Sequence, residues 1–230
     1  MRNQLDLERI VFIGRTFEEY IDMFGLKQAD LYGKKVLDCP AGACSFTAVG
    51  NQLGYHITAC DIAYYYPVDL LKKKGLEDIK HAMHYMKKAK NNYIWKYFDN
   101  IRGLESQRLQ ALLSCTADME KALKRYIPVD LPILPFDDQQ FDLLLSAHFL
   151  FIYSDRLDYN FHLATINELL RVTKEEVRIF PLVDLKGERY LHLDKMINYL
   201  QGKGYTVEEK TVAYHFQKNA NTMLRIDKKK

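Results

Sequence analysis

The chain predicts an α/β fold on a mainly parallel sheet, and three observations carry that expectation. Lys34 to Asp61, KKVLDCPAGACSFTAVGNQLGYHITACD, reads as a strand, a turn of small residues, a helix and a second strand. A short apolar run returns at Leu143–Leu145, as a strand buried on both faces requires, and Val177, Ile179 and Phe180 mark a further strand. The end of the chain changes pattern: Tyr205 to Phe216 and Met223 to Ile226 flank the turn-forming Lys218-Asn219-Ala220-Asn221, which predicts an antiparallel hairpin.

With 230 residues, 48% hydrophobic and 27% charged, the chain suits one domain over residues 1–230 with one substantial core. It contains no run of about 18 apolar residues that would cross a membrane. Met1 to Asp6 lacks the apolar core of a signal peptide, so a cytoplasmic protein without membrane partners is expected. Cys39, Cys44, Cys60 and Cys115 show no C-x-x-C spacing and read as packed, reduced thiols. His81 and His84 share a helical spacing but have no third ligand nearby, so no metal is expected.

The first strand holds Val36 and Leu37, and Pro40, Ala41, Gly42, Ala43, Cys44 and Ser45 follow it with almost no side-chain bulk. Backbone of that kind lets a ligand approach closely. Ser45 is a candidate N-cap for a helix through Phe46, Val49 and Leu53, with Gly54 ending it. His56 to Cys60 returns as a strand closed by Asp61, about 20 residues beyond the turn, where an acidic side chain can accept hydrogen bonds from ribose hydroxyls. A dinucleotide site would need G-x-G-x-x-G to seat a pyrophosphate. This loop has only Gly42, so a nucleoside cofactor without phosphates fits better.

Upstream, apolar positions between Leu5 and Leu26 predict one or two helices within residues 5–30, with Thr16 and Glu19 as a capping box. Arg15 and Tyr20 are candidate lid residues. After Asp61 the next strand does not begin until Tyr126, so residues 64–125 form an insertion, read as about three helices punctuated by Gly75 and Gly103. It carries thirteen Lys or Arg against seven Asp or Glu, whereas the whole chain is only +3. Tyr64, Tyr65, Tyr66, Tyr85, Tyr93, Trp95, Tyr97 and Phe98 are interleaved with that charge. Cations with stacking rings suit single-stranded nucleic acid; a helical cap with a small aromatic core and solvated lysines accounts for the same residues.

Beyond Tyr126 the chain reads Asp130-Leu131-Pro132-Ile133-Leu134-Pro135-Phe136, then Phe141-Asp142 and a buried strand to Ser146-Ala147-His148. Leu157 to Val172 predicts a helix with a core-facing stripe. Glu175 to Leu185 predicts a fifth strand with Pro181 near its end, and Leu191 to Leu200 a last helix before Gly202 and Gly204.

Two stretches resemble motifs of the class I S-adenosylmethionine-dependent methyltransferases. Asp38-Cys39-Pro40-Ala41-Gly42 resembles the acidic residue and glycine turn of the first motif. Asp130 to Phe136 with Phe141-Asp142 resembles the D-x-x-x-L-P-F … F-D stretch, and Asp61 lies between them. The resemblance spans nearly the whole chain. It implies a Rossmann-like, seven-stranded, mainly parallel sheet with a terminal antiparallel hairpin, here with a helical insertion after strand 2.

It also implies S-adenosyl-L-methionine as cofactor: Asp38, Cys39, Pro40, Ala41 and Gly42 along the methionine half, Asp61 on the ribose, and Asp130 with the Leu131 backbone on the adenine. Ile62 and Ser146, at strand ends beside the same crevice, complete the cofactor set. In such a fold strands one and four meet at the topological switch point, where ligands bind. That puts His148 in the reaction zone as candidate base, with Tyr153 and Asp155 as companions. The N/D-P-P-Y/F tetrapeptide of amino-group methyltransferases is absent, which disfavours DNA base N-methylation. The expected acceptor is a small molecule. RNA, held by the basic aromatic insertion, is the alternative. A third reading is a cofactor-binding interaction module without catalysis, because Pro40 and Cys44 stand where that family usually carries glycines.

Overall fold

The computed structural model describes residues 11–228. Its strands are β1 (Lys35–Asp38), β2 (His56–Asp61), β3 (Tyr126–Pro128), β4 (Phe141–Ala147), β5 (Thr173–Phe180), β6 (Thr206–Thr211) and β7 (Thr222–Asp227). They form one seven-stranded sheet in the order β3-β2-β1-β4-β5-β7-β6. The first five in that order run parallel; β7 is antiparallel to β5 and to β6. The expected sheet is therefore present, hairpin included.

Alternation along the central strands divides the core into two layers. Val36, Leu143 and Leu145 face one side; Leu37 and Leu144 face the other. All five are buried, and each contributes about 1.5–3 kcal/mol by leaving water. The first side is covered by α1 (Phe17–Phe24), α3 (Phe46–Gln52), α4 (Val68–Lys88) and α5 (Ile101–Ala122), and the second by α6 (Tyr159–Val172) and α7 (Leu193–Gly202). The single turn α2 (Gln28–Leu31) leads from α1 into β1.

Local chemistry explains several helix ends. The Thr16 hydroxyl accepts from the Glu19 amide at 3.3 Å while the Glu19 carboxylate accepts from the Thr16 amide at 2.9 Å, closing the capping box at the start of α1. Gly25 ends the helix at φ +54°. Asn100 caps α5 and Asp158 caps α6 through side-chain oxygens. Ser45, by contrast, makes no side-chain cap bond, and α3 is held from its other end. There the Asn51 amide donates to the carbonyls of Thr47 and Ile57, both at 2.8 Å.

The insertion departs from its expected form. It contains two long helices, α4 and α5, with short 3-10 turns after each, and its glycines are not helix breaks. A Cβ on Gly75 would lie 2.5 Å from Leu112 Cδ1, and one on Gly103 2.1 Å from the Phe98 carbonyl oxygen. Gly75 lets Leu112 of α5 pack closely on α4, and Gly103 is required for the tight entry to α5, where its neighbour is backbone. The expected N-terminal helices are α1 and α2; residues 5–10 lie outside the described residues.

Candidate functional site

The site lies beyond the C-terminal ends of β1, β2 and β4, where the order reverses from β2-β1 to β4-β5. Two cavities adjoin there and share Val11 and Tyr153. The first, about 320 Å³, lies among Pro40, Asp61, Ile62, Val129, Asp130 and Leu131 on the side of β1 to β3, and Phe149, Tyr153, Arg156, Leu157 and Phe161 opposite.

Asp61 is held in place by backbone. Its Oδ2 accepts from the Gly42 amide and its Oδ1 from the Ala63 amide, each at 2.8 Å. The Ile62 amide also bonds the carboxylate, whose roughly four lone-pair sites leave room for one more donor, and the side chain borders the cavity. Burial pushes the carboxyl above its usual range, against the opposing pull of these amides.

The turn itself is fastened to the end of β2. Ala41 donates to the Cys60 carbonyl at 3.0 Å, and the Gly42 carbonyl accepts from the Tyr64 hydroxyl at 2.8 Å. Gly42 sits at φ +54°, which explains a glycine at this one position.

An extended strap, residues 11–16, lies across the turn. A Cβ on Gly14 would fall 1.9 Å from the Ala43 carbonyl oxygen, so strap and turn touch backbone to backbone. Arg15 N–H reaches Cys44 Sγ at 3.2 Å, and the Ser45 amide donates to the Arg15 carbonyl at 2.9 Å. Cys44 is thus part of the strap's seat, and burial lifts its thiol to about 12.

The sequence-derived cofactor residues divide by depth. Pro40, Asp61, Ile62, Asp130 and Leu131 line the first cavity. Gly42 is partly exposed in the turn; Asp38, Cys39, Ala41 and Ser146 are buried beneath and do not border it. Asp38 accepts from the Tyr20 hydroxyl at 2.9 Å, its other oxygen has no partner, and burial drives its carboxyl well upward. Tyr20 is therefore a core residue and not a lid. Ser146 Oγ is likewise buried without a partner.

The second cavity, about 200 Å³, is walled by the C-terminal part of α4 (Ala82, Met83, Met86), by Tyr93 and Arg108 of the insertion, by Tyr214 and Phe216 beyond β6, and by Arg15 and His148. His148 follows β4 at φ +51°, its amide bonded to the Phe180 carbonyl at 2.6 Å. Its ring meets Phe180 and Tyr214 edge-on, and Nδ1 has no partner. Burial, then the charges of Arg15 and Arg108, hold the imidazole well below its usual pKa, so it is neutral at physiological pH. Asp155 lies outside both cavities, exposed and paired with Arg156.

Beneath this chamber lies a group that sequence reasoning missed. Arg108 grips Glu19 with two hydrogen bonds of 2.5 and 2.8 Å, and Glu19 also accepts from the Tyr214 hydroxyl at 3.0 Å. The partners are 89 and 195 positions apart in sequence, and nothing in local patterning links them. The aromatics of the insertion mostly turn inward. Tyr93 stacks on Phe216 at 4.8 Å, Trp95 and Phe98 meet the same ring edge-on, and Tyr97 meets Tyr214. Tyr65 and Tyr85 are exposed.

The sheet order defines an α/β chain with the seven-stranded layout that the resemblance implied. More closely, the chain belongs to the family of the uncharacterized protein MJ0045 of Methanocaldococcus jannaschii. It is 36% identical to that protein over 223 residues, covering 96% of this chain and 98% of the relative. No protein-family model matches the chain. Similar solved structures include the magnesium protoporphyrin IX methyltransferase ChlM of Synechocystis PCC 6803 with bound SAM, at 12% identity, 93% and 91% coverage and a TM-score of 0.49. A SAM-dependent methyltransferase of Aquifex aeolicus is 16% identical, with 96% and 92% coverage and a TM-score of 0.43. At these identities and TM-scores neither likeness bears on the chemistry.

Proposed function

We propose that the chain is an S-adenosylmethionine-dependent methyltransferase acting on a small molecule. The observation that carries this reading is the pair of adjoining cavities at the switch point, one suited to a nucleoside and the other to an acceptor.

The first cavity fits the nucleoside half of the cofactor. Ile62, Leu131, Phe149 and Phe161 supply apolar walls for a flat base; Asp61 and Asp130 supply polar positions at its edge. Asp61, with room for one more donor on an oriented carboxyl, would hold the ribose, and Asp130 with the Leu131 backbone the adenine. The turn from Asp38 to Gly42 would support the methionine half mainly by shape, since the Gly42 amide and carbonyl and the Ala41 amide already have partners. When bound, the cofactor supplies an electrophilic methyl group on a sulfonium.

The chain's own part is then to position the acceptor, exclude water and take up a proton where the acceptor sheds one. His148 suits the last role. It faces the second cavity, it is neutral, and its buried Nδ1 has an unused hydrogen-bonding valence. Tyr153, common to both cavities, would position the acceptor beside the cofactor.

A small acceptor is favoured over RNA because the rings of the insertion are spent on its own packing and on the chamber wall. The test is calorimetric titration with S-adenosylhomocysteine, followed by transfer of labelled methyl into fractionated cell extract with and without nuclease. Micromolar binding and nuclease-resistant label are expected. A folded sample that gives no heat would sink the methyltransferase reading, and label lost to nuclease would turn the acceptor to RNA.

A further inference from the structure

We propose that the chamber beside His148 takes a small planar acceptor bearing an anionic group, with the Arg15 guanidinium as its counter-ion and the rings of Tyr93, Tyr214 and Phe216 as its walls. The word acceptor rests on the methyltransferase reading; the anion site does not.

Charge accounting in the chamber leads to this. Among the described residues its charged lining consists of Arg15 and Arg108. Arg108 is neutralised by Glu19, which it binds through both terminal nitrogens at 4% and 0% side-chain exposure. Arg15 forms no ion pair among the described residues. Its Nε is buried without a partner, and its side chain makes a long 3.5 Å contact to the Ile13 carbonyl. His148 adds no charge before the reaction, because burial, then the two guanidiniums, lower its pKa. One positive charge is therefore left over in a half-enclosed aromatic space, where an unpaired ion is costly and a matching anion is bound strongly.

Arg15 is also built to stay there. Its backbone is clamped on both sides, by Cys44 Sγ at its amide and Ser45 at its carbonyl, and Gly14 before it is pressed on Ala43. A guanidinium on a fixed base presents a planar donor fork that matches a carboxylate or phosphate with little further loss of freedom. The rest of the wall suits a flat apolar body: Tyr93 lies stacked on Phe216, Tyr214 stands beside them, and the flexible Met83 and Met86 close the far side. At about 200 Å³ the chamber is smaller than the pockets of drug-sized ligands, which begin near 300 Å³. A compact ring acid fits that description. Arg15 borders this cavity and not the one suited to the nucleoside, so its guanidinium is open to the acceptor, and S-adenosylhomocysteine affinity separates that role from one on the methionine carboxylate.

The experiment is calorimetric titration of the full chain with benzoate, 2-naphthoate, their amides, phenyl phosphate and S-adenosylhomocysteine, for wild type and for Arg15→Gln and Arg15→Lys. At least one of the three anions should bind at least tenfold more tightly than the neutral amides. Arg15→Gln should abolish that preference, Arg15→Lys should keep part of it, and S-adenosylhomocysteine affinity should stay within twofold throughout. Equal binding of acids and amides to folded wild type would overturn the proposal, as would no binding of any anion. Loss of S-adenosylhomocysteine affinity in Arg15→Gln would overturn it too, by giving the guanidinium to the cofactor. If Arg15→Gln does not fold, the acid-over-amide preference of wild type and its weakening with added salt decide the matter. Arg15-dependent anion binding without any S-adenosylhomocysteine binding would sustain the anion site and remove the methyltransferase reading.

Discussion

Replacing Arg108 with Met removes the cation that makes a fully buried carboxylate tolerable. Glu19 is 0% exposed and would keep only the Tyr214 hydroxyl and the amide of Thr16. Breaking a buried ion pair from one side costs about 3–5 kcal/mol because the remaining charge is left uncompensated. At about 2–4 °C per kcal/mol for a chain of this size, the melting temperature should fall by about 6–20 °C.

The pH dependence adds a sign. In the wild type burial pushes the Glu19 carboxyl up, but the charge and hydrogen bonds of Arg108, helped by the charge of Arg15 and the Thr16 amide, outweigh it and the net shift is below the ordinary 4.5. The stabilisation is thus complete above pH 4.5 and fades as pH falls through the lower folded value. In Arg108→Met burial dominates, the carboxyl titrates above 4.5, and the penalty at pH 7 shrinks on acidification towards 4.5. Urea unfolding at pH 7 and pH 5 measures both terms, and Glu19→Gln combined with Arg108→Met should recover most of the loss. A penalty under about 1 kcal/mol at pH 7, or a double variant no better than the single, would refute this account of the pair.

Four further outcomes are expected. Asp61→Ala should weaken S-adenosylhomocysteine binding by about 1–3 kcal/mol, the worth of hydrogen bonds to a charged group; unchanged calorimetric affinity would take Asp61 off the ribose. His148→Gln should slow single-turnover methyl transfer by about 10²–10⁴-fold with cofactor affinity unchanged, and a full-rate variant would leave positioning alone to explain catalysis. Gly14→Ala forces a methyl group against a backbone oxygen that cannot swing aside, so it should cost about 1–3 kcal/mol in urea unfolding and loosen cofactor binding; wild-type stability would show that strap and turn can part freely. Changing the exposed Lys87, Lys88 and Lys90 together to Glu should leave turnover on a small acceptor unaltered, whereas loss of a salt-sensitive RNA gel shift in that variant would speak for nucleic acid.

The parts of this molecule that could be read in advance are those whose cause is local. The Thr16–Glu19 box needs only four consecutive residues, and the doubly buried strands advertise themselves through Val36-Leu37 and Leu143-Leu144-Leu145. The small-residue turn and Asp61 could be placed because one βαβ unit contains both. Gly75 and Gly103 misled for an equally physical reason. A glycine that breaks a helix and one that lets Leu112 or the Phe98 carbonyl come close are identical in sequence, and only the packing partner separates them. The chamber was the least legible part. Its wall joins residue 15 to residues near 85, 108, 148 and 215, and no window of sequence contains two of those segments. Arg15 and Tyr20 show the limit most plainly: five positions apart and alike in promise, one lines the cavity and the other is sealed against Asp38.

The aromatic seam between the insertion and the end of the chain has a consequence for how the molecule comes into being. Tyr93, Trp95 and Phe98 pack on Phe216, and the Ile94 amide bonds to the Phe216 carbonyl at 2.6 Å. During synthesis β1, β2 and both long helices, the second ending at Ala122, leave the ribosome well before Phe216, the partner that completes this seam. For that interval the insertion exposes an unsheltered aromatic edge, a state prone to unwanted association. Contacts of such separation also slow folding, because a long loop must close before they can reward it. The second cavity therefore gains its Tyr214 and Phe216 wall only late in synthesis, when the first cavity, lined by residues no later than Phe161, already has all of its own.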